Sequence, residues 1–168
     1  TFRIFTDSTL EEVLQKLVRE RDKQFTPELL AAIEGSGRTI HEVMIIASLL
    51  EKEVRGAADK AIAADIFWKR YDAGWAMQAD SSIHYIHGKT GSVFTTSDMR
   101  DSMNPYNTYK YLGLPPGPIS TPSFTAIEAA VYPEDSPYWY FITTLDTGEA
   151  IFARDLDGHN RNVQTYLR

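Results

Sequence analysis

Two glutamates close an apolar segment of the sequence, and a carboxyl group in such surroundings can do acid–base chemistry. The segment reads IIASLLEKEV, from Ile45 to Val54, and its acids are Glu51 and Glu53. On a helical wheel of about 100° per residue, the apolar residues before Glu51 point in every direction, which predicts a helix buried on all sides. Glu51 continues one apolar stripe of this helix, whereas Glu53 points roughly opposite to it.

The predicted surroundings of Glu51 favour a raised pKa. Burial disfavours the charged form of a carboxyl, and the partial negative charge at the C-terminal end of a helix disfavours it further. A carboxyl that stays protonated near neutral pH can act as a general acid. The alternative is structural, because Glu51 has Arg55 one turn later as an ion-pair partner at a solvated helix end.

Two later segments carry side chains suited to binding a ligand through hydrogen bonds and ring stacking. The segment MQADSS contains Gln78 and Asp80, near the aromatic residues Trp75 and Tyr85, which would combine hydrogen bonds to hydroxyl groups with a stacking surface. The alternative for this segment is a turn in which the Asp80 side chain caps the backbone at Ser82.

The segment PYNTY offers a second set of rings and hydrogen-bonding groups, and we predict substrate contacts from Tyr106, Asn107 and Tyr109. The alternative is a loop stabilised by bonds from the Asn107 side chain to the backbone. The four histidines share no short spacing with acids, and His84 with His87 is only a weak metal pattern. We therefore predict no metal site and no cofactor.

Composition limits the classes of partner. The chain has 168 residues, of which 43% are hydrophobic and 12% aromatic, so it is long enough for a domain with a real core. Its net charge is −6, without a basic block, which argues against binding to nucleic acid or to an anionic membrane surface. No run approaches the roughly 20 apolar residues of a membrane span.

The elements that must position these residues are mainly helical in the first half of the chain. Capping boxes are predicted at Ser8 with Glu11 and at Thr39 with Glu42. The remaining boundaries follow from proline, glycine and hydrophobic spacing: a helix from Pro27 to about Gly35, the Glu51 helix from about Ile40 to Arg55, and a helix after Asp59 that ends near Gly74.

The second half is predicted to mix a loop, a hairpin and short helices. Residues 104–123 are rich in proline and glycine, which favours an ordered irregular loop, and Ser123 is suited to cap a helix that reaches Val131. Apolar runs on either side of 146–148 predict a β-hairpin, and a short terminal helix is predicted over residues 159–167. The predicted fold class is α+β: a helical N-terminal portion with the buried Glu51 helix, then a small mixed β region with a C-terminal hairpin.

Several blocks, in order along the chain, resemble the catalytic domain of the MltG (YceG-like) endolytic murein transglycosylases. They are IIASLLEKEV, MQADSSIHY, NPYNTYKYLGLPPGPI, YWYFI and GHNRNV. The resemblance implies an enzyme that cuts peptidoglycan glycan strands between N-acetylmuramic acid and N-acetylglucosamine and leaves 1,6-anhydromuramyl ends. It also implies that Glu51 is the single catalytic acid and base, with Asp80 as a nearby second acid.

The resemblance further implies a single catalytic domain over 1–168, with a helical lead-in over 1–38 and a family core over 39–168. The N-terminal membrane anchor and LysM-like portion of the family are expected to be absent from this chain. The parent protein is then expected in the bacterial cytoplasmic membrane with this domain on the extracytoplasmic side, the fragment itself being soluble. Expected partners are glycan strands and peptidoglycan synthases, with no nucleic acid and no membrane contact except through the missing anchor.

Two alternatives to a transglycosylase stay open at this level. A lysozyme-like hydrolase needs a second carboxylate placed to activate water. A glycan-binding module without catalysis needs no acid in an apolar pocket.

Overall fold

The computed structural model describes residues 3–88 and 95–167 of the chain. Within these ranges it has eight helices and one two-stranded sheet, so the predicted α+β class, with its helical first half and C-terminal hairpin, is confirmed. In chain order the elements are α1 (Leu10–Asp22), α2 (Pro27–Gly35), α3 (Ile40–Glu53), α4 (Ala57–Asp72), α5 (Asp80–His87), α6 (Ser97–Arg100), α7 (Phe124–Val131), β1 (Tyr140–Thr143), β2 (Ala150–Ala153) and α8 (Leu156–Tyr166).

The chain forms two compact units, 1–38 and 39–168. That they make up a single domain stays a prediction. The first unit contains α1 and α2. The capping box of α1 is formed by Thr9 and Glu12, so the prediction of Ser8 with Glu11 is wrong by one residue. The backbone N–H of Ser8 donates to the carbonyl of Phe5, which keeps Ser8 in the preceding turn.

The core of the second unit is built around α3. This helix packs against α4 and α7, and every residue from Ile45 to Leu50 is buried, as its apolar wheel predicts. Its capping box, Thr39 with Glu42, is as predicted. The helix ends at Glu53 instead of Arg55, because Val54 is buried in an extended conformation with φ −136°.

Two other helix boundaries lie earlier than predicted. Gly56, which we expected to follow the end of α3, is the residue that precedes α4, so α4 begins before Asp59. Helix α8 begins at Leu156, because the side chain of Asp155 accepts a hydrogen bond from the backbone of Gly158 and caps the helix there. Ser123 caps α7 as predicted.

The hairpin pairs β1 and β2 antiparallel, with Tyr140 opposite Ala153 and Thr143 opposite Ala150. The strands are shorter than the apolar runs that predicted them. The turn between them uses Gly148, whose φ of +74° is the left-handed conformation that glycine adopts without strain.

The irregular loop between α6 and α7 is fixed to the core by Ser48, in the middle of α3. The hydroxyl of Ser48 accepts a bond from the Ile119 N–H at 3.0 Å, and its carbonyl accepts one from the Ser120 hydroxyl at 3.0 Å. The loop therefore keeps a defined position along α3 although it has no regular secondary structure.

Candidate active site

Glu51, in the last turn of α3, faces α4 and the start of α7. Its Oε2 atom accepts hydrogen bonds from the hydroxyl of Ser123 at 2.6 Å and from the Ser123 N–H at 3.2 Å, and it lies 3.3 Å from Nζ of Lys60. The Lys60 side chain is 8% exposed and that of Glu51 is 27% exposed. Among the described residues, the ion pair of Glu51 is thus with Lys60 on α4 and not with Arg55.

These contacts overturn the predicted direction of the Glu51 pKa. Partial burial raises the pKa, but the hydrogen bonds from Ser123 and the positive charge of Lys60 together outweigh it. The pKa of Glu51 is therefore lowered from its ordinary value of 4.5, so the carboxylate form is favoured. The prediction of a raised pKa is wrong because the partners of Glu51 come from α4 and α7, which helical spacing within α3 does not reveal.

Glu53 has the opposite environment. Its Oε1 accepts a hydrogen bond from the backbone N–H of Ser81 at 2.8 Å, in the first turn of α5. Burial is the largest influence and raises the pKa of Glu53, the negative charge of Asp80 raises it further, and hydrogen bonding from Ser81 and the charge of His84 oppose them. Of the two glutamates in the EKE block, residues 51–53, it is therefore Glu53 and not Glu51 whose pKa is raised.

Asp80 accepts hydrogen bonds from three side chains. Its Oδ1 atom accepts from the hydroxyls of Tyr109 at 2.7 Å and Thr95 at 2.7 Å, and from the guanidinium of Arg100 at 3.3 Å. Burial, followed by the charge of Asp80, raises the pKa of Tyr109, so its hydroxyl stays protonated and donates. The predicted residues Asp80 and Tyr109 are therefore brought together, beside Glu53.

Gln78 lies two residues before Asp80, with an exposed side chain and a strained backbone. Its φ of +51° makes it the one non-glycine residue with positive φ within 3–88 and 95–167. The backbone is fixed on both sides, because Gln78 N–H donates to the Thr108 carbonyl at 3.0 Å and Ala79 N–H donates to the Thr108 hydroxyl at 3.0 Å. Strain that the surroundings maintain in this way is typical of functional positions.

The two other predicted loop residues have different positions. Asn107 is 0% exposed; its Nδ2 donates to the carbonyls of Arg100 and Ser102, and its Oδ1 accepts from the Tyr109 N–H. All these partners lie within the chain, so we assign Asn107 to holding the loop instead of contacting substrate. Tyr106 is half-buried, with its ring against that of Tyr85.

Arg70 is a buried residue of the site that our reading of the sequence missed. Its guanidinium donates to the carbonyl of Met77 at 2.5 Å and to that of Trp139 at 2.7 Å, and it lies 5.4 Å from the centre of the Tyr140 ring. It joins the segment before Gln78 to the hairpin. An arginine among the apolar residues of a helix was the available signal, since such a residue needs partners when buried.

His159 of α8 is a neighbour of Arg70 and of Tyr140. Its ring is 5.3 Å from that of Tyr140, and its Nδ1 is buried without a hydrogen-bond partner among the described residues. Burial and the charge of Arg70 lower the pKa of His159, which favours the neutral ring. Within 3–88 and 95–167, no three acidic or histidine side chains converge as metal ligands, and no helix combines the length and hydropathy of a membrane span.

The site thus places Glu53, a half-buried carboxyl with a raised pKa, near a second acid, Asp80, and glycosidases likewise use a pair of carboxyl groups. The sequence model of the YceG-like family matches residues 1–165 of the chain. The chain therefore belongs to the YceG-like family.

Individual relatives agree with this membership. An endolytic murein transglycosylase of Streptococcus pneumoniae is 31% identical over 171 residues, covering 99% of this chain and 31% of the relative. One from Bacillus subtilis is 29% identical, covering 96% of this chain and 44% of the relative. The chain thus spans less than half the length of these curated relatives.

A solved structure has the same fold. The crystal structure of a yceG-like protein from Listeria monocytogenes matches with a TM-score of 0.85 at 33% identity, covering 96% of this chain and 52% of that one.

Proposed function

We propose that this chain carries a peptidoglycan lytic transglycosylase activity, which cleaves the bond between N-acetylmuramic acid and N-acetylglucosamine inside glycan strands. Membership of the YceG-like family and the names of the curated relatives support this reaction class. The observation that carries the proposal is the pair of neighbouring carboxyl groups at the start of α5: Glu53, whose pKa is raised, accepts a hydrogen bond at 2.8 Å from Ser81, the residue that follows Asp80.

Glu53 is the better candidate for the catalytic acid. The family resemblance assigned this role to Glu51, but a carboxyl that is bonded to Ser123 and paired with Lys60 is held in its charged form. A general acid must carry a proton when it meets the glycosidic oxygen. Burial and the neighbouring charge of Asp80 raise the pKa of Glu53, the direction that a general acid needs, and Asp80 is bonded to the predicted sugar-binding residue Tyr109.

The proposed reaction needs one carboxyl in two roles. The Glu53 carboxyl gives its proton to the glycosidic oxygen as the bond from that oxygen to C1 of the muramyl residue breaks. The resulting carboxylate then accepts the proton of the muramyl 6-hydroxyl while the oxygen of that hydroxyl bonds to C1, which closes the 1,6-anhydro ring. Because this nucleophile belongs to the substrate, its effective concentration is high. Asp80, held as an acceptor by Tyr109, Thr95 and Arg100, would stabilise the positive charge that develops near C1.

The same pair of acids favours a second candidate, a lysozyme-like hydrolase. Inverting and retaining glycosidases both use two carboxyl groups on either side of the bond. The negative charge of Asp80 helps to raise the pKa of Glu53, so the two acids are neighbours, and in a hydrolase Asp80 would be the group that directs the water molecule. The two reactions differ in their products, because hydrolysis adds a water molecule and leaves a reducing end.

The test is mass spectrometry of the products from purified peptidoglycan strands, with Glu53→Gln and Glu51→Gln as paired variants. Anhydromuramyl ends would support the transglycosylase, reducing ends the hydrolase, and intact bound strands a binding module without catalysis. We expect Glu53→Gln to abolish turnover and Glu51→Gln to retain part of it. Full turnover by Glu53→Gln would remove this residue from the mechanism.

The setting of the reaction is a separate part of the proposal. By family resemblance, the parent protein would be anchored in the cytoplasmic membrane, with this domain on the outer side next to peptidoglycan synthases. A pull-down with the full-length parent that recovers no synthase would count against this association.

A further inference from the structure

Two aromatic rings, on the helix that carries Asp80 and on the loop that carries Tyr109, have no part in the proposed proton transfers. Tyr85 of α5 and Tyr106 of the loop between α6 and α7 have ring centroids 4.9 Å apart, with 48° between the ring planes. Tyr85 is 50% exposed, so much of its ring remains open to solvent beside its neighbour. A pair of accessible rings offers apolar faces and two hydroxyl groups in one place.

The helix α5 connects this pair to Glu53. Ser81, whose backbone N–H donates to Glu53 at 2.8 Å, lies four residues before Tyr85. Residues four apart share a face of a helix and are separated along its axis by about one turn, or ~5.4 Å. Tyr85 therefore lies about one turn of α5 beyond the residue whose backbone N–H contacts Glu53.

The other ring is fixed in place by its loop. The backbone N–H of Tyr106 donates to the Asn104 side chain at 3.0 Å, and the following residue, Asn107, is anchored by its own side chain. A Cβ atom at Gly117 would lie only 3.2 Å from the Tyr106 hydroxyl, so the opposite part of the loop passes close to this ring. A preorganised ring loses little freedom when a ligand binds.

We propose that Tyr85 and Tyr106 form a sugar-binding subsite that holds one neutral N-acetylhexosamine ring of the glycan strand beside the bond that is cut. This inference rests on the proposed function and adds to it a residue, Tyr85, that works by binding and not by proton transfer. The face of a sugar ring that carries its C–H groups packs on an aromatic face, while the tyrosine hydroxyls donate to or accept from sugar oxygens.

The experiment measures binding without turnover, by titration calorimetry of peptide-free glycan strands into the full chain carrying Glu53→Gln. In that background we expect Tyr85→Ala to weaken binding about tenfold and Tyr85→Phe to change it less than about twofold, since the phenylalanine ring keeps the stacking face. Tyr132→Ala is the matched control, because Tyr132 is also 50% exposed but lies after α7.

Binding by Tyr85→Ala within about twofold of the Glu53→Gln background would overturn the subsite. So would an equal loss in Tyr132→Ala, or no binding by the Glu53→Gln chain itself. Thermal unfolding and a second variant, Tyr85→Leu, guard against loss of binding through misfolding. Binding is measured independently of cleavage. If binding depends on Tyr85 but the unmodified chain forms no products, only the proposed reaction is wrong. If the unmodified chain forms products but binding does not depend on Tyr85, only the subsite is wrong.

Discussion

The carboxyl groups of Glu51 and Glu53 leave the last turn of α3 towards different partners and have opposite pKa shifts. Glu51 meets Ser123 and Lys60, which lower its pKa, whereas Glu53 meets the first turn of α5, where burial and Asp80 raise its pKa. One helix end thus supplies an anion that joins three helices and an acid that can give up a proton. The distinction leads to separate predictions for stability and for activity.

Glu51→Gln is expected to reduce stability more than activity. The variant weakens the bonds to Ser123 and leaves Lys60 with a neutral partner, which should cost about 1–3 kcal/mol of unfolding free energy at pH 7. Since the folded pKa of Glu51 is lowered, its stabilisation is present above the ordinary value of 4.5 and is lost as the pH falls through the lower folded value. Denaturant unfolding at pH 7 and below pH 4 measures the difference, and an equal loss at both would contradict the ionic role.

Glu53→Gln is expected to reduce activity and to raise stability above pH 4.5. Since the folded pKa of Glu53 is raised, ionisation destabilises the folded state as the pH rises above 4.5 and through the folded value. Replacing the carboxyl with an amide should therefore raise the unfolding free energy at pH 8, by on the order of 1 kcal/mol, and leave it nearly unchanged at pH 4. Activity should fall at least about 100-fold, the usual contribution of a general acid. A variant that is both active and less stable at pH 8 would refute the assignment.

Asp80→Asn is expected to move the pH profile of activity. The negative charge of Asp80 helps to raise the pKa of Glu53, while the charge of His84 lowers it. Without the Asp80 charge, the basic limb of kcat/KM should shift to lower pH, and activity at neutral pH should fall by more than about tenfold, because the charge proposed to act near C1 is lost as well.

Tyr109→Phe is the control for this shift, because it removes one hydrogen bond to Asp80 and leaves the charge in place. Its basic limb should stay near that of the unmodified chain. An unshifted profile in Asp80→Asn would show that the charge of Asp80 has no influence on the acid.

Gln78→Gly tests whether backbone strain and ligand contact reside in the same residue. Glycine tolerates the φ of +51°, so removal of strain should keep stability unchanged or raise it by up to ~1 kcal/mol. Gln78→Ala keeps the strain and is the control for stability. If the side-chain amide binds sugar, KM should rise severalfold in both variants, and an unchanged KM in both would exclude that contact.

Local features of the fold could be predicted from the sequence because they depend on interactions between residues that are close in the chain. Thr39 and Ser123 cap their helices as predicted, and the apolar wheel of α3 corresponds to burial from Ile45 to Leu50. The C-terminal end of α3 could not be predicted in this way. Val54 leaves the helix because its side chain is buried in an extended segment, a tertiary effect that outweighs the spacing of the residues before it.

The site was predictable in composition but less so in its roles. Asp80 and Tyr109 were identified from sequence, and the structure brings them together. The pKa of Glu51 was assigned the wrong direction because Lys60 and Ser123 come from outside its own helix. Arg70 was missed because its partners, the carbonyls of Met77 and Trp139, are backbone atoms that leave no signature in the sequence.

Arg70 links the hairpin to the turn at Gln78 through the two backbone carbonyls to which it donates. Met77 precedes the strained Gln78, and Trp139 precedes β1, so one rigid guanidinium fixes the spacing between them. A lysine at this position, with a single ammonium group, would not span both carbonyls in the same fork. Changes that displace the hairpin are thereby transmitted to the turn that carries Gln78, so the C-terminal strands help to set the position of a residue that we predict to bind substrate.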